Sequence, residues 1–265
     1  KVAEEKKSYH RGRRDKKKKG GILSTLVLIV TLAVFLVSGF QLFQIFSEYR
    51  AGEKEYEKIQ QLAITQEDPD AEGGFKVDFD ALKEINPDTV AWIRFDEPSI
   101  INYPVVHGTD NETYLTKTFE ANDNKLGTLF VDKDNTGTFK DKNTFIYGHN
   151  MKNKTMFAKL MEYKEKSYWE KYPYFYIYTP DGQEHVYKIY SAGIVKDTSD
   201  SYIKAYNTDE EFEQYIALTK EASLYDTGVE VTKDSKIVSL STCTNVRDDE
   251  RFLVHGVEVE TKEAK

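Results

Sequence analysis

Cysteine is nearly absent from this 265-residue chain: Cys243 is the single thiol. That excludes an intramolecular disulfide framework. It also leaves a poor basis for zinc, because the five histidines are scattered and no second thiol stands near the first. No metal and no cofactor is implied. Charge is missing altogether from Ile22–Phe46, ILSTLVLIVTLAVFLVSGFQLFQIF. Basic residues become scarce beyond that run. Of the 37 Lys/Arg, ten fall in residues 1–21 beside three acids (Glu4, Glu5, Asp15), and the other 27 share residues 47–265 with 42 acids. An acidic body without a basic stripe excludes nucleic acid as the expected partner, since phosphates need concentrated Lys/Arg. No internal repeat is visible.

What is present suits a folded core: 39% hydrophobic residues, 18 Tyr and 15 Phe. A basic cluster placed directly before an uncharged apolar run follows the positive-inside rule. As a helix the run would extend ~37 Å at ~1.5 Å per residue, enough to cross a hydrocarbon core of ~30 Å. A cleaved signal peptide is the alternative, but the run exceeds the ~7–15 residues of a signal h-region and no clear A-x-A site follows. We therefore expect a cytoplasmic basic tail (1–21), one transmembrane anchor (22–46) and an extracellular remainder in the cell membrane. Outside the cell cysteines usually pair. Cys243 is then a free thiol, an intermolecular bridge or an inert buried residue.

After the anchor, SEYRAGEKEYEKIQQLAI places Tyr49, Tyr56, Ile59 and Leu62 on one helical face among charges, the pattern of a helix or solvated stalk. EDPDAEGG reads as a break. Residues 47–74 are thus expected as stalk and linker, and 75–265 as the globular domain. DFDALKEINPD predicts a short helix capped by Asp78 and ended by Pro87. Eight runs then read as strands: VAWIRF, INYPVV, GTLFVD, NTFIYG, YFYIYT, EHVYKIYSAGIV, KIVSLSTC and RFLVHGVEVE. A hairpin turn is expected at Asp181-Gly182. KTMFAKLMEYKEKSYWEKY reads as one helix, and TDEEFEQYIALTKEASLY as another that opens on the capping box Thr208-x-x-Glu211. Its Phe212, Tyr215, Ile216 and Thr219 share a core-facing side. The fold class is mainly β with helices (α+β), a closed or nearly closed β-barrel.

A thiol nucleophile needs a base or cation beside it and donors for the oxyanion formed on attack. His10 lies in the tail. His185 adjoins a hairpin turn and reads as a solvated surface residue, and His255 sits inside a strand as a structural histidine. His107 stands at a strand end and stays open. His149, between Gly148 and Asn150 in NTFIYGHNMKNKTMF, occupies a strand-to-loop junction where functional side chains are readily presented. Arg251 opens the strand after the Cys243 loop, so a tight TNVRDDE connection returns it near the thiol, with an ion pair to Asp248, Asp249 or Glu250 as the alternative.

These residues resemble the sortase family. SLSTC is similar to the sortase T-L-x-T-C signature, with Ser239 in the first position in place of Thr. YGHN upstream and an arginine eight residues after the cysteine complete a His149–Cys243–Arg251 set, and INPDTVAWIRF…INYPVVHGTDNETYL resembles the opening strands. The likeness is to class B, with helices before an eight-stranded sortase-type barrel and a long helix before the cysteine strand.

The resemblance implies a Gram-positive cysteine transpeptidase. It cleaves a C-terminal sorting motif (LPxTG- or NPxTx-like) of surface proteins after Thr through a Cys243 thioester. It then transfers the product to a peptidoglycan amine, on lipid II or a cross-bridge. It further implies that Asn111, Leu115, Thr198, Tyr202, Ile203 and Ser241 line the peptide groove. The alternatives are a cysteine peptidase that hydrolyses the same motif and a non-enzymatic wall-binding protein.

Overall fold

The computed structural model describes residues 21–66, 75–96 and 101–264. The tail expected over 1–21, Gly21 apart, and the EDPDAEGG linker lie outside the described residues. The chain divides into two compact units, Lys1–Ser47 and Glu48–Lys265.

The first unit contains the apolar part of helix α1 (Gly21–Ala63). Its side chains are exposed, with Leu23 at 70% and Phe35 at 71%. A helix apolar all round is normally buried in a core or in lipid. This one is long and apolar enough to cross a membrane, and its most apolar stretch is buried by none of the described residues. Ser24, Thr25 and Thr31 donate their hydroxyls to carbonyls three or four residues back. Those hydroxyls are thereby satisfied within the helix.

In the second unit the end of α1 is not a free stalk. Tyr56, Ile59 and Ala63, one turn apart along the helix, are buried in the main core, whereas Leu62 is exposed. The Tyr56 hydroxyl donates to the Gly127 carbonyl, and Glu55 accepts from the Glu120 N–H and the Asn122 amide. Gly52 permits the approach, because a Cβ there would lie 2.2 Å from Leu126 Cδ1. A short ladder of β1 (Ile64–Gln66) and β2 (Lys76–Val77) follows, then α2 (Phe79–Ile85), capped by the Asp78 carboxylate as expected.

Eight strands among the described residues close the barrel, and all eight expected runs contribute. They are β3 (Thr89–Arg94), β4 (Asn102–Val106), β5 (Leu129–Val131), β6 (Asn143–Tyr147), β7 (Tyr174–Tyr178), β8 (Gln183–Lys196), β9 (Ile237–Cys243) and β10 (Glu250–Glu263). The order around the barrel is β10-β8-β7-β3-β4-β5-β6-β9, and β10 pairs with both β8 and β9. Two pairs are parallel, β4–β5 and β6–β9. Strand alternation sorts β9 into two sides: Val238 and Leu240 enter the main core, while Ile237 packs with Phe212, Tyr215 and Ile216 of α5 (Asp209–Glu221).

Thr208 caps α5 by accepting from the Glu211 N–H, but the Glu211 carboxylate returns to the Asn207 N–H, one residue before the cap. The Asp181-Gly182 turn forms, with Gly182 at φ +78. The segment expected as one helix after Lys154 splits into a 3-10 helix (Phe157–Lys164) and α4 (Lys166–Lys171), with Glu165 extended between them. Phe157, Leu160 and Tyr163 are all buried, and a three-residue repeat is what a 3-10 turn aligns on one side. The short α3 (Thr113–Thr116) sits in the β4–β5 connection.

Candidate active site

Parallel pairing of β6 with β9 brings the C-terminal ends of both strands to one end of the barrel. Tyr147 stands opposite Ser241, so His149 follows the end of one strand while Cys243 is the last residue of the other. The β9–β10 turn then returns Arg251 into register directly opposite Cys243. Gly148 could carry no side chain, since a Cβ would lie 2.3 Å from Leu129 Cδ2 and 2.7 Å from Phe157 Cδ2. The turn that presents His149 is thus packed tightly from beneath.

His149, Cys243 and Arg251 line one cleft of about 320 Å3 together with Asn111, Leu115, Phe130, Tyr147, Gly148, Ser241 and Thr242. Cys243 is partly exposed and unpaired. The His149 ring is 2.7 Å from the Leu115 carbonyl through Nε2. A carbonyl only accepts, so Nε2 carries the proton in that contact, and Nδ1 is left for proton traffic. A main-chain carbonyl therefore orients the ring where a carboxylate does so in many hydrolytic triads.

Arg251 donates from Nη1 to the carbonyls of Asp248 (2.6 Å) and Glu250 (3.0 Å), and its ion pair is with Asp197 at 3.4 Å. Two of the three expected carboxylate partners are engaged elsewhere, Asp249 with Lys196 and Glu250 with Arg247. Three of the five guanidinium donors are so used, which fixes the fork while it lines the cleft.

Of the six residues expected along a peptide groove, Asn111, Leu115 and Ser241 line this cleft. Tyr202 reaches it through its hydroxyl, 2.8 Å from Ser241 Oγ. Burial raises the Tyr202 hydroxyl to about 12, with Ser241 and the Arg251 charge pulling back. Thr198 and Ile203 are exposed and outside the lining residues. Asn111 has its amide committed on both sides: Oδ1 accepts from the Lys133 N–H and Nδ2 donates to Asp132.

Asp132 escaped the sequence reading. Its carboxylate is buried and also accepts from the Tyr147 hydroxyl (2.7 Å), the Asp134 N–H (2.9 Å) and the Lys204 ammonium (2.8 Å). Burial alone would raise its pKa, but Lys204, Asp134 and Tyr147 outweigh that and hold it below the ordinary carboxylate range. Lys204 also pairs with Asp134. The segments bearing Asn111, Tyr147 and the residues after Tyr202 thus converge on one buried charge.

The other described histidines do not line the cleft. His255 is buried, its Nδ1–H donating to Ser239 Oγ, and burial lowers it to about 3. His185 is not the solvated residue expected, since Nδ1 lies 2.6 Å from Glu258 Oε1. Ser239, the departure from the signature, also donates to Asn143 Oδ1 at 2.8 Å.

Comparison with known proteins agrees with this geometry. The family model "Sortase domain" matches residues 95–259. Sortase B of Staphylococcus aureus is 31% identical over 221 residues, 83% of this chain and 88% of that protein. Sortase B of Listeria monocytogenes is 30% identical over 241 residues, 88% of this chain and 96% of the relative. A Staphylococcus aureus sortase B–substrate complex superposes with a TM-score of 0.70 at 27% identity, covering 81% of this chain and 99% of that one. The chain belongs to the sortase family. It is a cell-wall sorting transpeptidase, whose family joins surface proteins bearing sorting motifs to an amine nucleophile. Within the family it is most like the class B enzymes.

Proposed function

We propose that Cys243 is the nucleophile, His149 the acid and base, and Arg251 the electrostatic clamp of a membrane-anchored sortase. The observation that carries this reading is the convergence of thiol, imidazole and guanidinium on one cleft at the shared end of β6 and β9. Cys243 passes its thiol proton to His149, and Sγ attacks the carbonyl carbon of Thr in a C-terminal sorting motif of the LPxTG or NPxTx kind. The C–N bond breaks, and the leaving amine takes a proton from His149. An amine of a peptidoglycan precursor then attacks the thioester, gives its proton to His149 and expels the Cys243 sulfur. Arg251 donates to the substrate backbone or to the oxyanion of each tetrahedral intermediate.

Asn111, Leu115, Tyr202 and Ser241 bound the groove, with Thr198 and Ile203 on its outer approach. The apolar part of α1 anchors the enzyme as a single span over 22–46. The basic tail 1–21 lies on the cytoplasmic side, and the catalytic domain lies outside a Gram-positive membrane. The test incubates residues 48–265 with LPxTG-, NPxTx- and PPxTG-type peptides and follows the mass of Cys243. A thioester that passes to triglycine supports the scheme, and release to water with triglycine present replaces it with a peptidase. No adduct with any peptide would falsify the nucleophile assignment.

A further inference from the structure

The motifs YGHN and STCTN each contain an asparagine that none of these roles uses. Asn150 Nδ2 donates to the main-chain carbonyl of Cys243 at 2.8 Å, and Asn245 Nδ2 donates to the main-chain carbonyl of Asn150 at 2.7 Å. The two bonds run in opposite directions between the turn that bears His149 and the strand end that bears Cys243.

The sheet explains why side chains are needed here. The β6–β9 ladder runs in register to Tyr147 and Ser241, and the Gly148 N–H adds one more rung to the Ser241 carbonyl at 3.1 Å. Donors from one strand of a parallel ladder are spaced two residues apart, so the next rung would join the Asn150 N–H to the Cys243 carbonyl. By then the chain has left the sheet. The His149 carbonyl accepts from the Phe157 N–H at 3.0 Å, and Asn150 bridges to Met156 instead. The Asn150 side-chain amide supplies the missing rung. Asn245 stands at φ +60, a left-handed conformation that asparagine adopts more readily than most residues, and this turns its own amide back toward Asn150.

We infer that Asn150, held in turn by Asn245, is a positioning residue that fixes the imidazole-bearing turn against the thiol-bearing strand end. This rests on the reading of His149 as acid and base. The ladder up to Tyr147 and Ser241 does not depend on either asparagine, so truncating Asn150 frees the turn without opening the barrel.

The test uses two substrates: the panel peptide that best acylates Cys243, and its depsipeptide, with an ester oxygen in place of the scissile nitrogen. An alkoxide departs with less need of a proton donor than an amine. A misplaced acid therefore slows the amide far more than the ester, whereas loss of folded enzyme slows both equally. Misplacement by about 1 Å can cost on the order of 10²-fold, so N150A is expected to lower kcat on the amide about 10- to 100-fold. KM should stay within about twofold, and the ester should lose less than about fivefold. N245A shows the same split at smaller size, and N150A/N245A widens it beyond N150A, because Asn245 bonds the main-chain carbonyl of residue 150 and keeps that bond when the Asn150 side chain is truncated. If N150A does not accumulate as folded protein, N245A alone carries the comparison.

H149A is the reference. If it shows no amide-over-ester split, the reading of His149 fails. If H149A splits while N150A and N245A slow both substrates equally, or leave the amide kcat within about twofold of the parent, the positioning inference is overturned.

Discussion

Two of the hydroxyl and thiol side chains on strand β9, Ser239 and Cys243, have a histidine nearby, and the two places could hardly differ more. At its middle, Ser239 Oγ lies 2.7 Å from His255 Nδ1. At its end, Cys243 shares an open cleft with His149. The first pair is in direct hydrogen-bond contact and has the lesser capacity for chemistry. Ser239 gives its proton to Asn143, whose amide donates to the Tyr215 hydroxyl, whose own proton goes to the Ser201 carbonyl. Every group in that chain is engaged, the site is sealed, and burial keeps His255 neutral. Around Cys243 the partners hold the framework and leave the reactive atoms free. Unused hydrogen-bonding capacity facing solvent, and not proximity, separates the pair proposed for catalysis from the structural one.

The largest effect should come from removing the thiol. Cys243→Ala abolishes both thioester and transfer product, whereas Ser239→Ala keeps activity per folded molecule within about twofold, read by product mass. Arg251→Ala should lower kcat/KM by about 10²–10³, the usual scale for losing one oxyanion donor. Arg251→Lys should recover little of it, because an ammonium lacks the fork that meets Asp197 and two carbonyls at once.

His255 makes the sealed site sensitive to acid. Its folded pKa of about 3 lies below the ordinary histidine value, so the unfolded chain binds the extra proton first. Its contribution is fully present above about pH 6.5 and is lost as pH falls toward 3, with a slope of up to about 1.4 kcal/mol per pH unit. Urea midpoints measured from pH 7 to 4 should fall more steeply for the parent than for a His255→Gln variant. The smallest effect is Ser239→Ala on stability, about 1–3 kcal/mol from removing the partner of Asn143 Oδ1 and of His255 Nδ1, read from the same melts.

This contrast also marks what could be read from residue order. The eight strands were legible because Val, Ile, Tyr and Phe alternate between turn residues, and the thiol, imidazole and arginine were legible from an ordered motif. Asp132, Asn150 and Asp197 were not, because each acts through a partner distant in sequence. Asn150 meets Cys243, and Asp197 meets Arg251, only once strand register is known. The end of α1 misled for a related reason. Its charges suggested a stalk, while Tyr56, Ile59 and Ala63 enter the core and Glu55 bonds to Glu120 and Asn122. Thr198 and Ile203 were assigned by likeness between loops, where local geometry follows sequence least.

The bond from Tyr215 to the Ser201 carbonyl has a consequence in time as well as in space. Tyr215 is anchored through Asn143 to β6, so the turn bearing Tyr202 can swing away only if that buried tyrosine gives up its hydrogen bond. Breathing of this groove wall is then tied to opening of the α5–barrel packing, a rare and cooperative event. Amide protons at Tyr202 and Ile203 should exchange with solvent on the slow timescale of the core, although Ile203 is itself exposed. The enzyme would meet each peptide with that wall already in place.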